Sequence, residues 1–322
     1  MDSFNPGFLK LSAQVFEDKI RQAKKHLTKC LLCPRKCAVD RFSGERGFCG
    51  AQADAEVAHA QLHFGEEPVL SASGGAGAIF FAHCNLKCVY CQNYQISQRR
   101  EVSGSLTVAE LAGRLIKLQF QGAQNIDFVS ASHFAPQMIE AIYLAKNKGF
   151  CLPVVYNTNG YDSQETLELL SGIVDIYLPD FKYYEDQNAW KYSQVSDYAG
   201  VLMQALTLMY EQVGDLVIDD RGRAQSGVLL RHLVLPNRIA GSIAILELVA
   251  KAIGTKIGLS IMSQYHPCYQ ADRFAEINRT ITDKEYDEVV NCACDLGFEL
   301  CWIQEPASHQ VYLPDFENPE VF

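Results

Sequence analysis

The chain has 322 residues, 48% of them apolar and 20% charged, with a formal charge of −10 at neutral pH. That composition belongs to ordinary globular proteins, at a length suited to one large domain or a domain with a small appendage. The acidic balance argues against a general nucleic-acid binder, and no run of about eighteen apolar residues marks a membrane span. The opening MDSFNPGFLK lacks the basic-then-apolar pattern of a secretion signal, so a cytoplasmic location is expected. There, clustered cysteines bind metal more often than they pair with one another.

Taken in chain order, residues 8–28 have Leu9, Phe16, Ile20, Ala23 and Leu27 near helical spacing and predict an amphipathic helix. Four cysteines follow at Cys30, Cys33, Cys37 and Cys49, then a polar stretch ending in SASGGAG at 71–77. From there, short apolar, β-rich runs recur at 77–84, 125–131, 152–158, 174–180, 227–236 and 256–264. Helix-like segments at 106–120, 136–148, 163–171, 196–213, 242–253 and 282–296 lie between or after them, with Pro136 near one start and Thr282–Asp283 as caps of the last. Six strand-then-helix units with continuously apolar strands imply a parallel sheet covered by helices. Without a G-x-G-x-x-G fingerprint, even spacing favours a partial (β/α)6 barrel, whose chemistry sits at the carboxyl ends of the strands. The expected division is 1–70 as helix plus cysteine-rich module and 71–322 as barrel with a C-terminal extension.

Polar or metal-binding residues stand at every predicted strand end: Cys84, Ser130–His133, Asn157–Asn159, Asp180–Lys182, Arg231–Asn237 and Gln264–His266. The first of these opens FFAHCNLKCVYCQN, where Cys84, Cys88 and Cys91 can wrap one iron–sulfur cluster from a short loop. Three ligands leave one iron of a four-iron cluster open. The upstream quartet is instead a closed set. Its C-x-x-C turn offers two thiolates, Pro34 stiffens the exit, and Gly44, Gly47 and Gly50 let the chain bend back to Cys49. Four thiolates suit tetrahedral zinc, a single iron or a second cluster, with either a structural or an electron-relay role. Around it, residues 19–49 carry nine Lys/Arg against the two acids Asp40 and Glu45. Such a basic surface solvates a thiolate module and is also compatible with an acidic partner. The remaining Cys151, Cys268, Cys292, Cys294 and Cys301 have no ligand-like spacing and are expected to be buried small residues.

The trio's spacing, with Tyr90 before its last cysteine, resembles the radical S-adenosylmethionine (SAM) superfamily. More narrowly, FFAHCNLKCVYCQN is similar to the pyruvate formate-lyase activating-enzyme branch and its uncharacterised homologues. CLLCPRKC with GERGFCG, GEEP, YLPDFKY, RHLVLP and MSQYHP extend that resemblance from about Cys30 to Gln304. It implies a 4Fe-4S cluster on Cys84, Cys88 and Cys91, with SAM chelating the open iron. Reductive cleavage to a 5′-deoxyadenosyl radical would follow, with an electron from a reductant such as flavodoxin or ferredoxin.

By the same resemblance, Asp180 and Lys182 contact SAM, and Arg231 pairs with its methionyl carboxylate. His266 lies near the adenine, with Tyr90 packed beside it. The activating enzymes' Gly-Gly-Glu motif is replaced here by SASHFAP, leaving Ser132 and His133 to receive the SAM amino group. The implied product is a glycyl radical on a partner enzyme. The departure from Gly-Gly-Glu leaves another peptide or a small metabolite as the alternative, and a non-catalytic electron-transfer protein as the rival from another class.

Overall fold

The computed structural model describes residues 4–99, 104–305, 314–318 and 321. The first helix of the sequence reading is two: α1 (Gly7–Lys10) and α2 (Ala13–Thr28). Ser12 divides them, because its extended backbone ends one while its side chain accepts from Val15 N to cap the other. α2 lies against the outside of the barrel, with Phe16 stacked on Tyr143 at 5.1 Å. Lys146 Nζ meanwhile donates to the carbonyls of Phe8, Leu9 and Leu11.

All six predicted strands form: β2 (Ala76–Phe81), β4 (Ile126–Val129), β5 (Val154–Thr158), β6 (Ile176–Pro179), β8 (Ala224–Leu233) and β9 (Gly258–Met262). They pair in parallel in that order, and β10 (Cys301–Ile303) adds in parallel beyond β9. Burial is nearly continuous along β2, β4, β5, β6 and β9, as a helix-covered parallel sheet requires. The covering helices are α4 (Val108–Phe120), α5 (Ala135–Lys146), α6 (Gln164–Leu170), α8 (Tyr198–Val213), α9 (Ser242–Ala252) and α10 (Asp283–Leu296). Thr107 with Glu110 and Thr282 with Glu285 form complete capping boxes at α4 and α10.

The segment AEVAHAQLH, part of a polar stretch in the sequence reading, forms β1 (Ala55–His63), antiparallel to β2. Its alternate residues are only partly buried, so its periodicity is weaker than that of the barrel strands. β3 (Gly104–Leu106) extends that edge, and β7 (Val217–Ile218) pairs with β8. Two short helices, α3 (Pro68–Ser71) and α7 (Asp186–Ser193), complete the set. Two non-glycine residues with left-handed backbone, His83 (φ 71°) and Ser130 (φ 59°), stand just past the ends of β2 and β4. Strain of this kind gathers where a chain is held for function. Among the described residues, no helix is long and apolar enough to cross a membrane.

Candidate active site

At the carboxyl ends of the strands lies a cavity of about 620 Å³, lined by residues in or just past every barrel strand. Cys84, Cys88 and Cys91 form one wall, in the loop that leaves β2. Each sulfur meets a hydrogen-bonding group. Asn159 Nδ2 donates to Cys84 Sγ at 3.3 Å, as does Leu86 N at 3.4 Å. Ser193 Oγ donates to Cys88 Sγ at 3.0 Å, and Ser97 Oγ lies 3.2 Å from Cys91 Sγ. Burial pushes all three thiols up, and the charge of Cys88 adds to the rise at Cys84 and Cys91. Three cysteines on one loop, lining one cavity, are the ligand type that iron–sulfur clusters take, and a bound cluster would offset the burial that disfavours their thiolate form.

Opposite the trio, Asp180 and Lys182 leave the end of β6 paired at 2.8 Å. Burial pushes the Asp180 carboxyl up, but Arg231 and Lys182 outweigh it and hold the group below the usual carboxylate range. Lys182 is held up by Asp180 and by the negative potential of Cys88, against the opposing effect of burial. Tyr90 lines the same cavity, edge-on to Tyr265 at 5.6 Å and to Tyr183 at 6.4 Å. His266 also lines it, and its Nδ1 is buried without a hydrogen-bond partner. A buried ring nitrogen without a protein partner, on a residue that lines a cavity, can answer a polar ligand atom.

Arg231 is placed differently from the carboxylate partner expected of it. Its Nε donates to Asp180 Oδ1, its Nη1 to Glu66 Oε1 and its Nη2 to Asn157 Oδ1, all at 2.8–2.9 Å. The guanidinium therefore ties β5, β6 and β8 to the GEEP segment, with little of its fork free for a ligand. Ser132 and His133 stand outside the cavity altogether. Their short helical turn points inward to the core, where Ser132 bonds Asp162 and Tyr156 and His133 Nε2 lies 2.8 Å from Ala82 O. Burial pushes His133 down to about 3, a neutral core imidazole. The residue of that strand end that does line the cavity is Ser130.

Sequence reasoning missed Glu66 and Glu67 as site residues. Glu67 is buried, accepts from Ser260 Oγ at 2.9 Å, and is pushed up to about 7 by burial against the opposing charge of Arg231. Asp127, beneath Glu66, rises well above the carboxylate range through burial and the Glu66 charge. Two adjacent acids just before an apolar run, EEPVLS, were the available signal.

Away from the cavity, Cys30, Cys33, Cys37 and Cys49 share a second neighbourhood. Burial pushes Cys33 up to about 12, and the charges of Cys49, Cys30 and Cys37 add to it. Arg41 Nη2 donates to Cys30 Sγ at 3.0 Å and points at Cys49 Sγ at 3.8 Å, while Phe48 N donates to Cys37 Sγ at 3.3 Å. Gly47 has to be glycine, because a Cβ there would stand 2.8 Å from Cys37 Cβ and 2.9 Å from its sulfur. Leu32 O, next to Cys33, accepts from Ser163 Oγ and Thr166 Oγ1 at the start of α6, docking the loop on the barrel. Of the five other cysteines, Cys151 and Cys294 are exposed and Cys268, Cys292 and Cys301 half-buried, so the expected core role does not describe them. Among the described residues, no three His, Cys, Asp or Glu side chains are gathered tightly enough to share one metal ion.

Comparison with known proteins bears on what this geometry serves. Residues 78–213 match the family described as the radical SAM superfamily. An uncharacterised protein of Methanocaldococcus jannaschii is 32% identical over 297 residues, covering 88% of this chain and 80% of that protein. Among solved structures, Streptococcus suis SuiB bound to its precursor peptide SuiA aligns with a TM-score of 0.47, 10% identity and 69% of this chain against 47% of that one. The tagged enzyme anSMEcpe with bound AdoMet aligns at 0.47, with 14% identity, over 69% of this chain and 58% of its own. HydG, a maturase of the [FeFe]-hydrogenase, aligns at 0.47, with 16% identity, over 69% of this chain and 48% of its own. The chain therefore spans about half the length of these solved structures.

Proposed function

The chain belongs to the radical SAM superfamily, and we propose that Cys84, Cys88 and Cys91 hold the 4Fe-4S cluster at which it cleaves SAM reductively. The observation that carries this reading is the joint lining of one cavity by Cys84, Cys88 and Cys91, the Asp180–Lys182 pair and His266. The loaded cluster supplies the electron that splits SAM into methionine and a 5′-deoxyadenosyl radical. The chain's own residues bind, orient and exclude water. Lys182 offers an ammonium to the methionyl carboxylate, Asp180 offers oxygens to the ribose or the amino group, and Tyr90 and His266 flank the adenine. Arg231 acts as a brace that fixes Asp180 in this role, and Ser130 replaces Ser132 and His133 as the polar group at the end of β4.

The cavity would admit the molecule from which hydrogen is taken. Resemblance to the activating enzymes supports a glycyl residue of a partner enzyme as that molecule. The replacement of the activating enzymes' Gly-Gly-Glu motif by SASHFAP supports the alternative of another peptide or a small metabolite. Anaerobic reconstitution, reduction with dithionite and addition of SAM should yield 5′-deoxyadenosine. No trace of it would sink the reading as an enzyme. A glycyl signal by electron spin resonance on a co-incubated candidate partner is the outcome the first substrate requires, and its absence alongside SAM turnover selects the second.

A further inference from the structure

The last residues of the chain fasten onto the loop of the cysteine trio from both edges of the sheet. That sheet starts at β10 and ends at β1 and β3, and among the described residues no strand pairing joins the two edges. Just past β10, Gln304 Nε2 donates to Gln264 Oε1 at 3.0 Å, and Ser263 Oγ donates to Glu305 O at 2.7 Å. Gln92, the residue after Cys91, donates from Nε2 to Gln264 O at 2.9 Å. At the other edge, Phe316 is fully buried, edge-on to Phe80 of β2 at 5.4 Å and 5.8 Å from the His59 ring of β1. Val321 joins the same apolar cluster, together with Ile96 and Val129. One side-chain amide holds the backbone there. Phe316 N donates to Gln95 Oε1 at 2.9 Å, and Gln95 Nε2 donates to Asp315 Oδ1 at 3.1 Å. Because Gln304, Glu305 and Pro314 also line the cavity, this extension is part of the site and not a tail outside it.

Gln95 opens a single π-helical turn, Gln95–Arg99. Such turns are rare and gather at functional sites. The residues that follow Gln95 bond the trio's loop at its start, its middle and its end. Ile96 O accepts from His83 N at 3.0 Å, next to Cys84. Gln98 Nε2 donates to Leu86 O at 3.2 Å, between Cys84 and Cys88. Ser97 Oγ lies 3.2 Å from Cys91 Sγ. The extension therefore grips the first two residues of a turn whose next two set the cysteine loop.

We propose that docking of Asp315 and Phe316 holds this turn in its π form, which makes Gln95 and Phe316 positioning residues for Cys84, Cys88 and Cys91. With the extension released, Ile96, Ser97 and Gln98 let go of the loop, and the sulfurs lose their fixed places. The end of the chain thus sets a site 220 residues upstream. The consequence for turnover rests on the reading of the trio as the SAM-cleaving centre, while the consequence for the loop does not.

The first test uses the full chain without cluster or SAM. Alkylation of Cys91 by iodoacetamide, followed by mass spectrometry, should run about tenfold faster in Phe316→Ala and in Gln95→Glu than in the parent protein. Cys33 should react at the parent rate in both. Gln95→Glu removes the amide donor and sets a second carboxylate against Asp315. Adding Asp315→Asn returns a donor, so the double variant should recover part of the parent protection. General destabilisation would speed Cys33 as well and would overturn the proposal. So would Cys91 reacting at the parent rate in Gln95→Glu, which decides alone should Phe316→Ala fail to fold. In the reconstituted protein, Gln95→Glu should lose iron to a chelator about ten times faster, again partly reversed by Asp315→Asn. A parent protein that forms no 5′-deoxyadenosine would remove the reading of the trio and leave the alkylation result standing. SAM turnover with unmoved Cys91 alkylation would remove the positioning role alone.

Discussion

The two cysteine groups are built on opposite plans. The quartet is nearly self-contained: its thiols, the arginine that faces them and the amide that bonds Cys37 all come from about twenty consecutive residues. The trio draws on its own loop only in part. Leu86 N and Ser97 Oγ are local, but Asn159 past β5 and Ser193 at the end of α7 also bond its sulfurs, and Lys182 past β6 supplies positive charge at Cys88. A local module can be read, and broken, within its own segment. A centre assembled from the whole barrel inherits the stability of that barrel, and the interior beneath it becomes part of the site.

The contrast is sharpest when each centre is removed in turn. Cys88→Ala should abolish 5′-deoxyadenosine formation, by at least about a thousandfold, because the three thiols act as one unit. Cys33→Ala, by contrast, should leave dithionite-driven turnover measurable. Equal loss in both variants under dithionite would erase the distinction between the two centres.

Next in size is Arg231→Ala. It leaves Glu66, Asp127 and Asp180 in a buried site with one counter-charge taken away, and a broken buried network of this kind costs about 3–5 kcal/mol. Denaturant unfolding should show that loss before any cluster is loaded, and Arg231→Lys should restore part of it. A variant of normal stability that fails only to bind SAM would return Arg231 to the ligand role that the sequence suggests.

These two effects also mark what the sequence made legible. The six parallel strands followed from apolar runs at even spacing, because burial on both faces writes itself into consecutive residues. The cysteines followed from spacing, and Asp180 and Lys182 from standing at a strand end. The side chains of Ser132 and His133 turned inward for a reason the sequence conceals. Ser130 takes a left-handed backbone, which redirects the chain into a short helical turn before α5. Nor could Arg231 be read as a brace, since its partners lie 51, 74 and 165 residues away. Asn159 belongs to a predicted strand end, but its bond to Cys84 depends on Gly160. With φ at +79°, that residue passes so close to Leu202 and Asp180 O that a Cβ would collide.

Glu67 gives a smaller effect that separates the barrel interior from the quartet by pH. Its carboxyl is raised from about 4.5 to about 7 by burial, so the folded state keeps a proton that the unfolded chain has released. The stabilisation from that proton is complete below the unfolded value and is lost as pH rises through the folded one. Glu67→Gln keeps an oxygen for Ser260 and removes the titration. The difference in stability between variant and parent should therefore grow in the variant's favour from pH 5 to pH 8, approaching about 3 kcal/mol. Unfolding midpoints that stay a constant distance apart over that range would place the titrating group elsewhere.

The smallest effect is at a side chain that serves the trio directly and reaches the segment of the quartet through one residue, Asn85. Asn159→Ala removes a donor from Cys84 and the prop that holds Asn85, whose carbonyl receives Arg35. Hydrogen bonds around a metal ligand are worth about tenfold in affinity, so the trio's iron should be lost to a chelator about ten times faster. Any metal loaded on the quartet, held by donors of its own segment, should leave at the parent rate. Accelerated loss from both would mean that the quartet leans on the barrel more than its sequence-local bonds suggest. Loss from the trio alone would show that the connection runs one way: the barrel positions the trio, and the quartet is complete before it docks.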